Sequence, residues 1–149
     1  MASGFQLIAP RHVPPLEPGF RPAVLANRAF REEVAASGGG VPLVIGLERT
    51  DGSVSRYETV AFPEGHPRAE ANLTYAERLV KFLLWARGAH RVHVGGPRAI
   101  GEHVARVYAA DGARRFDYQF MGEQVHGRPF TVTPCAADEV PAARGTGQA

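Results

Sequence analysis

Little in this chain is available to staple it, anchor it or tie it to nucleic acid. Of its 149 residues only Cys135 is a cysteine, so no disulfide can form within the chain, and a reducing cytoplasm is the simplest compartment. Lys81 is its sole lysine; the other basic side chains are arginines scattered singly or in pairs, and the net charge is only +2. That is a weak electrostatic footprint for a nucleic-acid binder. The longest apolar run, Phe82 to Ala86, falls far short of the ~20 residues that cross a bilayer. The opening stretch, with Pro10, Pro14, Pro15 and Pro18, does not read as a signal peptide. Also missing are a G-x-S-x-G elbow, an H-E-x-x-H pair and a Walker loop: Gly101 is followed by Glu102, not lysine.

What is present is ordinary for a globular protein: 44% hydrophobic and 21% charged residues, in a length that suits one domain with a real core. The stretch from Leu73 to Tyr108 organises the rest. A helix is expected over about Arg68 to Arg87, where Leu73, Ala76, Leu79, Val80, Leu83 and Leu84 fall on one stripe. Tyr75, Phe82 and Trp85 widen that stripe until little polar face remains, which predicts near-complete burial. Gly88 is placed to cap it. His90 to Val94 alternates as a short strand, Gly95-Gly96-Pro97 turns, and Ile100, Val104, Val107 and Tyr108 stripe a second helix that Asp111-Gly112 ends.

Around this unit, residues 1–20 read as a proline-stiffened arm. Residues 21–134 read as a single α/β domain and 135–149 as a flexible tail. Pro22 to Val34 makes a modest helix on Ala26, Phe30 and Val34, stopped by Gly38, Gly39 and Gly40. Leu43 to Arg49 and Val54 to Phe62 are strands about an Asp51-Gly52 hairpin turn. Phe116 to Met121 alternates as a late strand. His126-Gly127 suggests a turn, and Phe130 to Val132 a returning strand. The expected order is α-β-β-α-β-α-β-β: a small mixed sheet of about five strands with three helices, in the α/β (α+β) class.

Few groups here promise chemistry. His90 and His93 lie three apart on a strand, hence on opposite faces, and cannot share a metal ion. Cys135 sits beside the tail with no positioned histidine, a poor setting for a nucleophile. Glu48, Asp51 and Glu58 about the first hairpin, and Asp117 and Glu123 on the late strand, read as solvated faces and turns. No catalytic residue, metal ligand or cofactor is assigned. The glycine turn is the one candidate ligand site: Gly95 and Gly96 would let an anion approach backbone N–H groups at a helix start, Arg98 would add a charge and His93 leads into the corner. The plainer reading of the same glycines is a tight connection over a crowded core, and Pro97 removes one donor.

Several runs carry a resemblance: Phe20 to Leu25 (FRPAVL), Pro42 to Arg49 (PLVIGLER), Asp51 to Thr59 (DGSVSRYET), Ala76 to Trp85 (AERLVKFLLW) and Phe116 to Glu123 (FDYQFMGE). Together, over about Ala9 to Pro141, they resemble the leading segment of certain bacterial ROK-family proteins, the group related to sugar kinases. In those proteins a longer domain follows, with the phosphate-binding hairpin and the sugar site. Neither the D-x-G-x-T phosphate motif nor the family's zinc cluster has a counterpart here, so its catalytic residues carry over to no position. The resemblance implies a non-catalytic accessory module, without the kinase core. It would pack on a kinase-like partner or its own copy, or hold a small sugar or phosphorylated ligand. The family also includes repressors, which makes a transcription-related module the alternative. Yet no helix-turn-helix with a basic recognition helix is visible, since residues 98–109 carry Glu102 between Arg98 and Arg106. A small enzyme of unrecognised class would need a constellation that the sequence does not display.

Overall fold

The computed structural model describes residues 21–109, 118–120, 123–125 and 130–145. The arm at 1–20, the helix stop at Asp111-Gly112, Asp117 and the turn at His126-Gly127 lie outside the described residues.

Strand β1 (Val41–Glu48) and strand β2 (Val54–Ala61) pair antiparallel about the Asp51-Gly52 turn. Gly52 has φ +88, which its missing Cβ permits, and the Asp51 carboxylate accepts the Ser53 N–H at 2.9 Å. Helix α1 (Arg21–Ala36) precedes this hairpin and helix α2 (Ala71–Arg87) follows it. Gly88 closes α2, its N–H donating to the Leu84 carbonyl at 2.8 Å. Strand β3 (Arg91–Gly95) and helix α3 (Arg98–Ala109) complete the central unit. Strands β4 (Tyr118–Phe120) and β5 (Glu123–Val125) then form a hairpin, and strand β6 (Thr131–Cys135) returns to the main sheet.

The main sheet has the order β2-β1-β3-β6, with β1 antiparallel to both neighbours and β3 parallel to β6. The fold is therefore the expected mixed α/β arrangement with three α-helices among the described residues. Its sheet differs in count: four strands, with β4 and β5 paired separately. The late strand finds its partner three residues away in β5, and the place beside β3 goes to β6.

Alternation decides the core. Leu43, Ile45 and Leu47 of β1 and Val92 and Val94 of β3 point to one face, in register Ile45 with Val94 and Leu47 with Val92. Ala76, Leu79, Val80, Leu83 and Leu84 of α2 and Ile100, Val104 and Tyr108 of α3 cover them. Each buried leucine, isoleucine or valine among them contributes about 1.5–3 kcal/mol by leaving water. Helix α3 lies over β6 and β3. Gly101 allows that approach, since a Cβ there would meet the Pro134 Cβ at 2.8 Å. Helix α1 adds Phe30 and Val34 against Phe62 beside β2, with the Phe30 and Tyr75 rings stacked at 3.9 Å. Asn72, buried on α2, fixes the exit from β2 by bonding both the N–H and the carbonyl of Phe62 at 2.9 Å. Tyr75 bonds Asn27 and Thr59, and burial holds its phenol up at about 12.

The opposite face carries Val44, Gly46 and Glu48 of β1 and His93 and Gly95 of β3. The stretch that the sequence assigns to a tail crosses it as a strap over residues 136–145. A 3-10 turn at Ala137–Glu139 leads to Val140, which is only 5% exposed. Arg144 then forms a bridge with Val54, each N–H donating to the other's carbonyl at 2.9 and 3.0 Å. Arg56 Nη1 donates to the carbonyls of Val140 and Pro141 at 2.9 and 3.2 Å. The seat for Val140 is made by glycines on neighbouring strands. A Cβ on Gly46 would meet its Cγ1 at 2.7 Å, and one on Gly95 its Cγ2 at 2.5 Å. Among the described residues no helix is long and apolar enough to cross a membrane.

Candidate functional site

The glycine turn joins β3 to α3 and is packed from both sides by the chain itself. Gly95 lies under the strap, where a Cβ would meet the Ala136 carbonyl oxygen and the Ala137 Cα, each at 2.9 Å. Gly96 has φ +156, and a Cβ there would come within 3.0 Å of the Pro42 carbonyl. Its N–H donates to the Cys135 carbonyl at 3.2 Å, so that donor is spent on the end of β6. The Pro97 carbonyl accepts the N–H groups of Ile100 and Gly101 in the first turn of α3. Arg98 begins α3 with its side chain 86% exposed, and its Nε donates to Glu102 at 2.7 Å. That i,i+4 pair stabilises the helix by about 0.3–0.5 kcal/mol at most.

His93 points elsewhere. It stands opposite Gly46 in the β1–β3 register, while its Nε2 meets the Glu48 carboxylate at 2.9 Å, at the level of Arg91 and away from Gly95. The two side chains are 12% and 28% exposed. The hydrogen bond to His93 pulls the Glu48 carboxyl below its ordinary value of 4.5 against the opposing effect of burial, and the charges of His93, His90 and Arg91 add to the lowering. The structure thus keeps Gly95, Gly96 and Arg98 together and turns His93 out of their corner.

The remaining groups are dispersed. Asp51 serves its own turn, and Glu58 pairs with Arg56 at 2.7 Å. With Glu48 on His93, the three carboxylates about the first hairpin each have a separate partner. His90 precedes β3, and among the described residues no group of three or more metal-ligating side chains gathers. Cys135 ends β6 beside Gly95, and burial first, then the charges of Glu139 and Asp138, push its thiol up. A thiol so raised is a poor nucleophile. Between α2 and α3, His103 Nε2 meets Glu77 at 3.0 Å and the Tyr108 hydroxyl donates to the Glu77 carbonyl at 2.9 Å. This clamp holds the two helices together.

Sequence reasoning missed the Glu48–His93 pair and the Val140 seat, because both depend on which strand lies beside which. One signal was available for the seat: Gly46 interrupts a branched strand, a position that marks close backbone approach. The chain matches no protein-family model, no curated protein and no solved structure.

Proposed function

We propose that this chain is a non-catalytic accessory module of the cytoplasm, akin to the leading part of a ROK-family sugar-kinase-like protein, and that it acts by packing on a kinase-like partner domain. Of the two modes that the resemblance implies, packing is favoured over capture of a sugar or phosphorylated ligand at the glycine turn. The observation that carries this choice is the use of the Gly96 N–H by the Cys135 carbonyl, with the space over Gly95 taken by residues 136, 137 and 140. An anion cradle needs such donors unspent and such space open. The dispersal of Glu48, His93, Glu77, His103 and Cys135 into separate structural contacts supports a role without turnover.

Two assays on the purified chain test the reading. With ATP and glucose it should show no phosphorylation, and on size-exclusion chromatography it should co-elute with the sugar-kinase core of a ROK-type protein from the same source. Sugar phosphorylation by the chain alone would overturn the non-catalytic reading. Separate elution at concentrations of tens of micromolar would overturn the partner.

A further inference from the structure

A trough of about 710 Å³ opens between the turn end of the β1–β2 hairpin, the C-terminal half of α2 and residues 143–145. Small-molecule sites span about 300–1,000 Å³, with mostly apolar walls and a few placed polar groups. This one follows that plan. Leu47 and Leu83 are buried at its base, and the rings of Tyr57 and Phe82 contribute to its walls. Its polar lining is Ser55, Arg56 and Arg144, with no acidic residue among the side chains that line it.

The two arginines differ in how far they are neutralised. Arg56 is matched by Glu58 at 2.7 Å and tied to two backbone carbonyls. Arg144 uses its Nε on the Gly52 carbonyl at 2.7 Å and has no carboxylate partner among the described residues. Its backbone is pinned to Val54 by two hydrogen bonds, and Ser55 is held by Arg49 Nη2 at 2.7 Å. The rim is therefore organised before any ligand arrives, which lowers the entropy cost of binding. An apolar trough with one unmatched guanidinium on a fixed rim complements a ligand of one chemistry.

We propose that this trough binds a small amphipathic anion, a ring-sized apolar body lodged against Tyr57, Phe82 and Leu83 with its carboxylate or phosphate on Arg144. The trough lining includes none of Gly95, Gly96 and Arg98, so its test stands apart from that of the glycine turn. The ¹⁵N-labelled chain is titrated with 1-naphthyl phosphate, 1-naphthoate, the neutral 1-naphthol and inorganic phosphate. The amide shifts of Ser55, Tyr57, Leu83 and Arg144 are followed. Both aromatic anions should move them saturably by the low millimolar range. Naphthol should bind roughly tenfold more weakly, a factor that corresponds to about 1.4 kcal/mol, and inorganic phosphate should leave them in place. Whichever aromatic anion binds more tightly identifies the preferred head group.

Arg144→Gln should erase the advantage of the anions over naphthol. Ala143→Trp, at an exposed rim position, should fill the trough and abolish binding, with melting curves showing that both variants are folded. Unmoved trough amides, naphthol binding as tightly as the anions, equal shifts with inorganic phosphate, or unchanged affinity in Ala143→Trp would each overturn the proposal.

Discussion

The two faces of the sheet reach burial by opposite means. On the helix face, Leu43, Ile45, Leu47, Val92 and Val94 present branched side chains to two helices that answer with their own, and the contact is bulk against bulk. On the strap face, β1 and β3 present Gly46 and Gly95, and one valine from far along the chain drops into the space they leave. The first arrangement is redundant, since many residues share it. The second depends on shape at one point and on polar contacts such as the Glu48–His93 hydrogen bond around it. On that face the Arg56 guanidinium ties the strap to β2 through the carbonyls of Val140 and Pro141, while Glu48 and His93 bond each other across β1 and β3.

The comparison breaks most visibly in the core of the helix face. Leu83, 7% exposed and packed in the main cluster, should cost about 2–5 kcal/mol when truncated to alanine. Chemical denaturation of Leu83→Ala measures this directly. A midpoint equal to that of wild type would show that α2 does not carry the core.

On the strap face the expected effects are smaller and coupled. Gly46→Ala adds a methyl group where Val140 Cγ1 stands at 2.7 Å, and overpacking of this kind costs about 1–3 kcal/mol. In a Val140→Ala background the same substitution should be nearly free, because the atom it collides with is gone. The expected result is a double mutant that costs less than the sum of the two single changes, by nearly the whole cost of Gly46→Ala alone. Additive single effects would mean that the glycine is not there for the valine.

Smaller again is the contribution of the Glu48–His93 pair. The Glu48 carboxyl is depressed chiefly by its hydrogen bond to His93. A depressed carboxyl stabilises the fold above its unfolded-state value, and the benefit disappears as pH falls through the lower folded-state value. The stability gap between wild type and Glu48→Gln should therefore be widest near neutrality and close on acidification below the ordinary carboxylate range. Melting curves across that range that run parallel for the two proteins would contradict the assignment.

The helix face was legible in the sequence because its signals are local. The alternation of β3 and the 3.6 period of α2 and α3 are set by neighbours along the chain, and the helix stripes name the helical part of the buried cluster, while β1 reads as a buried strand from its apolar, branched composition. The strap was not legible for the converse reason. Residues 135–149 are rich in alanine, proline, glycine and charge, which locally reads as a tail, and Val140 gains its meaning only from glycines on two distant strands. Strand β5 was missed because Glu123-Gln124-Val125 is too short and polar to show alternation. At the candidate site, the turn itself could be read from Gly95-Gly96-Pro97. Its donor count could not, since the acceptor for Gly96 is the carbonyl of Cys135 on a strand whose place in the sheet the sequence does not reveal.

The claim that the turn is closed by the fold's own contacts is tested most directly by its amides. Titration of the ¹⁵N-labelled chain with phosphate and with ATP to millimolar concentration, in wild type and in Arg98→Ala, should leave the Gly95 and Gly96 resonances in place, and Gly96 should exchange slowly with solvent. Saturable movement of both glycine amides, lost in Arg98→Ala, would show an anion cradle in use and would contradict the account.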